Sequence, residues 1–88
     1  MDRNYIYDQL RDLISDGLNT MKDHTLSEPA YDIWLKYSEK ILEITTKDYN
    51  PSILMNYLRL VSNMDSYMPP YQKIGMCLDY LIRVMQML

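Results

Sequence analysis

The stretch from Tyr71 to Leu88 constrains this chain more than any other. Wound as a helix at about 100° per residue, it places Ile74, Cys77, Leu78, Leu81, Ile82, Met85 and Leu88 on one apolar stripe. Met76, Tyr80, Val84 and Met87 form a second stripe beside it. Only Gln72, Asp79, Arg83 and Gln86, with Gly75 among them, make a polar arc, and Lys73 lies on the far flank. The apolar arc spans roughly two-thirds of the circumference, where a surface helix needs only ~100°. Such a helix is either central in its own bundle or shared with a second molecule.

Length sharpens that choice. Eighty-eight residues make one domain, and a chain this small buries only about 60–65% of its unfolded surface. Small proteins often add disulfides, a metal or another subunit. Cys77 is the only cysteine, so no disulfide forms within the chain. A structural metal lacks ligands, because His24 and Cys77 are the only soft donors and such sites take four. Oligomerisation is the support left. Met76, Tyr80, Val84 and Met87 are therefore the candidate self-association face.

Charge is distributed unevenly. Residues 1–48 carry six basic and ten acidic side chains, and residues 49–88 carry three basic and two acidic. The C-terminal half is thus expected to be the buried part, with the N-terminal half wrapped against it. Nine tyrosines and no phenylalanine suit half-buried surface, where a ring packs and its hydroxyl stays wet.

Four helices are predicted, over about residues 4–20, 29–46, 51–65 and 71–88, giving an all-α, compact four-helix domain. In the first helix Ile6, Leu10, Leu13, Ile14 and Met21 share a face with Gly17. That glycine admits a close helix neighbour or marks a frayed end. Asp8, Asp12 and Asp16 form an acidic ridge opposite, which is either a face for a cationic partner or a solvated edge.

Ser27 is the expected N-cap of the second helix, with Pro29 in its first turn and a Thr25–Glu28 capping box as the alternative. Its expected core stripe is Ala30, Ile33, Trp34, Tyr37, Ile41 and Ile44, with Tyr31, Leu35, Ser38 and Leu42 as a narrower flank. Asp32 with Lys36 and Glu43 with Lys47 are spaced as favourable pairs. Asn50 followed by Pro51 starts the third helix, whose core stripe is Leu54, Tyr57, Leu58, Val61 and Met64. Arg59 stands on its weakly charged polar face as a partner or phosphate contact, or simply as a solubilising arginine. Arg83 is its counterpart on the last helix. Pro69-Pro70 separates the third and fourth helices.

Several function classes lack their residues. The two glycines are far apart, so no phosphate-cradling loop exists. His24 reads as a loop histidine and Cys77 as a small core residue, so no catalytic residue and no cofactor is assigned; an enzyme built around either, with groups that converge only in space, is a third alternative. A negative net charge without a basic stripe disfavours conventional DNA binding. No apolar run reaches ~18 residues, so no membrane span is expected. With its single cysteine and no signal-peptide pattern, the chain is expected to be a soluble cytoplasmic protein.

The order Leu13-Ile14, Gly17, a polar connector, Trp34, Ile41-Leu42 and an apolar closing helix from Leu78 to Leu88 resembles short helical modules of bacterial phage-defence proteins. Those modules usually precede an effector domain, whereas this sequence runs to Leu88, so no effector activity is expected of it. By size and acidity the chain also resembles small phage-encoded inhibitors of host defence. The resemblance implies a role in phage–bacterium conflict, as an inhibitor or adaptor. The expected function is a non-enzymatic helical interaction module that binds itself and another protein. The alternative is an oligomeric nucleotide-binding protein or sponge, using Arg59 or Arg83 on phosphate.

Overall fold

The computed structural model describes residues 2–88 and holds four helices: α1 (Arg3–Met21), α2 (Glu28–Thr46), α3 (Ser52–Ser62) and α4 (Pro70–Met87). No strand occurs among the described residues, and the domain is all-α. Asp2 caps α1, its carboxylate accepting from the Asn4 N–H at 2.9 Å. Ser27 caps α2, its hydroxyl accepting from the Ala30 N–H at 3.2 Å, with Pro29 in the first turn. The Asn50 side chain accepts from the Ser52 N–H at 3.0 Å, one position past the proline it precedes. Thr25 makes no capping box with Glu28; its N–H and hydroxyl both go back to Asp23, at 2.9 and 2.6 Å. Helix α3 ends at Ser62, earlier than expected, where the chain turns through Asn63 and the Asp65 carboxylate takes the Tyr67 N–H. Helix α4 starts on Pro70, whose missing N–H costs nothing at the first position.

Of the two alternatives for the last helix, the structure takes the first. Helix α4 lies against each of the other three. Ile74, Cys77, Leu78, Leu81 and Val84 are all buried in the protomer's own core. Helix α1 closes on it through Ile6, Leu10, Leu13 and Ile14. Gly17 is where these surfaces meet most closely. A Cβ there would stand 2.6 Å from Leu78 Cδ2 and 2.9 Å from Trp34 Cζ2. The glycine therefore serves close approach, and α1 runs on past it to Met21.

Two faces differ from expectation. Helix α2 is rotated by about one residue's step, roughly 100°. It buries Tyr31, Trp34, Ser38, Leu42, Thr45 and Thr46, and turns Ile33, Tyr37 and Ile44 out to 73, 53 and 49% exposure. The hydroxyls explain this. Ser38 donates to the Leu35 carbonyl at 2.7 Å, Thr45 to Ile41 at 2.7 Å and Thr46 to Leu42 at 2.6 Å. Each polar group is satisfied within its own helix, so burial leaves no unmet bond. In α3 the buried residues are Ile53 and Tyr57, whereas Leu58, expected in the core, is exposed.

Candidate interaction surface

The surroundings of the groups that could carry covalent chemistry decide what those groups can do. Cys77 is fully buried, and burial pushes its thiol up to about 11, opposed in part by the neighbouring Tyr57 and Tyr31 hydroxyls. Burial raises Tyr57 and Tyr31 as well. The Ser38 proton goes to Leu35 O, so the Tyr57 hydroxyl must donate to Ser38 Oγ, 2.7 Å away. Tyr31 donates to Met64 Sδ at 3.9 Å. Tyr31, Ser38, Tyr57 and Cys77 form a buried polar seam between α2, α3 and α4. A protonated thiol in such a place is a packing group, not a nucleophile. His24 lies in the exposed α1–α2 connection, stacked on Tyr71 with ring centroids 4.2 Å apart. No group of three or more metal-binding side chains converges among the described residues.

The candidate self-association face on α4 is divided. Val84 belongs to the core. Tyr80 is half-buried and donates from its hydroxyl to the Ile53 carbonyl at 2.7 Å, fastening α4 to the start of α3. Met76 and Met87 remain exposed, as does Ile82 from the first stripe. Outside the core α4 thus keeps Met76 and Met87 on one line, with half-buried Tyr80 between them, and Ile82 apart from it.

Arg59 and Arg83 stand in different surroundings. Arg83 pairs with Asp79 at 2.8 Å and lines a groove of about 200 Å³ between α3 and α4, with Leu60, Met76 and Tyr80. A phosphate entering that groove meets the Asp79 carboxylate as well as the guanidinium. Arg59 is exposed on α3, with no ion pair among the described residues. On α1 the acidic ridge is solvent-exposed. Arg11 reaches Asp8 at 3.4 Å and Asp12 at 3.6 Å, and Asp16 stays outside that pairing.

The surface that spacing alone misassigned is on α2. Ile33, Tyr37 and Ile44 recur on one line of that helix, opposite the residues that fill the core. A groove of about 540 Å³ runs between α2 and α3. Ile44, Leu54 and Leu58 supply its apolar lining, and Lys36, Glu39, Lys40 and Glu43 its charges. None of those four charges has an ion-pair partner within 4 Å among the described residues. Asp32–Lys36 and Glu43–Lys47, spaced as helical pairs, do not close either. Desolvation raises Glu39, and Lys36 only partly offsets it. By contrast Glu28, at the other end of α2, is taken by Lys73 at 3.3 Å, whose ammonium also lies 5.3 Å from the Tyr31 ring centre.

No helix among the described residues is long and apolar enough to cross a membrane. No protein-family model, characterised protein or solved structure matches the chain.

Proposed function

We propose that this chain is a non-enzymatic helical interaction module that associates with itself and binds another protein. One observation supports this above the others. Helix α2 completes its share of the core with one face and still presents Ile33, Tyr37 and Ile44 to solvent. Large apolar groups gathered on one face, rather than scattered singly, mark interaction sites on soluble domains. Met87 on α4 and Met55 on α3 add exposed, adaptable apolar groups elsewhere.

Light scattering across the micromolar range tests the self-association. A mass that rises above the monomer with concentration supports it, and a strict monomer throughout overturns it. Nucleotide binding makes a different demand, because a ligand at 100 times its dissociation constant adds ~2.7 kcal/mol of stability. The interaction reading predicts no thermal shift with cyclic or linear nucleotides. The phage–bacterium setting is part of the proposal and rests on the resemblance of the helix pattern. Phage plating efficiency on a bacterial host with and without the chain expressed tests it; equal efficiencies for every phage tried argue against that setting.

A further inference from the structure

Antiparallel pairing of a helix with its own copy makes a stringent demand on sequence. A two-fold axis maps each residue onto the one equally far from the axis on the other side, so the helix must complement its own reversal. Helix α2 meets that demand in its charges. Reversal about the point between Glu39 and Lys40 sets Asp32 opposite Lys47, Lys36 opposite Glu43, and Glu39 opposite Lys40. Every acid meets a base. These six are all the charged residues from α2 and its C-cap except Glu28, which Lys73 engages within the protomer.

The placement of those charges fits the same geometry. At about 100° per residue, Asp32, Lys36, Glu43 and Lys47 fall along one edge of the stripe formed by Ile33, Tyr37 and Ile44. In an antiparallel pair the same edges of the two helices meet, as they do across antiparallel coiled coils. Along the stripe, Ile44 of the second copy would lie between Ile33 and Tyr37 of the first, so the apolar groups interleave. The protomer leaves all six charges without an ion pair among the described residues. A partner of different sequence would place no such requirement on the reversal of this helix.

We infer that the outer face of α2 is the homodimer interface, two copies packing antiparallel along Ile33, Tyr37 and Ile44 with Lys36–Glu43 and Asp32–Lys47 pairs between protomers. This names the surface and partner for the self-association proposed above and rests on that reading. The α2–α3 groove, whose charges are those of the pairing set, receives the partner's flanking side chains.

Sedimentation equilibrium on the purified chain and its charge variants tests the inference. The wild-type protein is expected to be a dimer in the micromolar range. Lys36→Glu and Glu43→Lys each convert two attractive pairs into repulsive ones and are expected to weaken dimerisation by about tenfold or more. The double variant restores both pairs and should dimerise close to wild type. An equimolar mixture of the two single variants should form the mixed dimer. Ile44→Asp should leave a monomer with unchanged helical circular dichroism, which separates loss of the interface from loss of the fold. Dimers indifferent to all of these changes overturn the α2 interface while leaving self-association standing. Single variants that weaken dimerisation without rescue in the double variant overturn the stated pairing. A wild-type monomer throughout the range overturns this inference and the self-association together.

Discussion

Gly17 and Gly75 respond oppositely to the same substitution, because what surrounds them differs. In open helix either would gain about 0.5–1 kcal/mol on becoming alanine. At Gly17 the new methyl meets Trp34 at 2.9 Å and Leu78 at 2.6 Å. Overpacking of that kind costs about 1–3 kcal/mol, so Gly17→Ala should lower stability by about 1–2 kcal/mol in urea denaturation. At Gly75 the only neighbour within 4 Å among the described residues is the Met21 methyl at 3.2 Å, the free end of a flexible chain. Gly75→Ala should raise the melting temperature by a few degrees. Tyr57 carries the other sharp residue-scale test. Tyr57→Phe removes the bond to Ser38, and should cost about 1–1.5 kcal/mol. Trp34 Nε1 is buried and makes no hydrogen bond to the protein among the described residues.

At the scale of elements, the helices were legible because their ends are marked chemically. Ser27, Asn50-Pro51 and Pro69-Pro70 each stop or start a helix by a local mechanism that needs no tertiary information. Which face each helix buries was legible where hydropathy and burial agree, as along Ile6, Leu10, Leu13 and Ile14. It failed on α2, where Ser38, Thr45 and Thr46 occupy core positions with their hydroxyls bonded to their own helix. Periodicity weights such residues as polar and so assigned Ile33, Tyr37 and Ile44 to the core in their place. The same misassignment hid the proposed interaction face, since a residue placed in the core is not sought on the surface. The corrected phase has a direct check. Leu42→Ala should cost about 2–5 kcal/mol, whereas Ile33→Lys should change protomer stability by no more than about 0.5 kcal/mol. Equal costs from urea titrations of the two variants would restore the original phase.

The whole molecule exposes 5531 Å², close to the roughly 5,500 Å² expected of a compact monomer of this mass. The protomer is therefore as compact as its mass requires, with α4 packed against the other three helices. Dilution below the dimer range should leave its helical circular dichroism unchanged. Alkali is a different matter. The folded thiol of Cys77 holds its proton up to about 11, against an ordinary value of 9.0. Between those values the unfolded chain binds fewer protons than the folded one, so stability must fall as pH rises. The thiol's contribution is fully present below about 9 and lost through about 11, a drop of about 2–3 kcal/mol. Burial of Tyr57 and Tyr31 acts with the same sign at higher pH. Cys77→Ala should remove the thiol's part of the decline, seen as a flatter denaturation midpoint between those pH values.

The packing around Gly17 also equips the protein for its own observation. Trp34 is the sole indole in the chain, buried in the core and packed against α1 at Gly17, close to where Leu78 of α4 meets the same glycine. A buried indole emits toward the blue and shifts red once solvent reaches it. Its fluorescence therefore reads whether the three-helix junction is shut, while the outward side of the same helix is engaged or free.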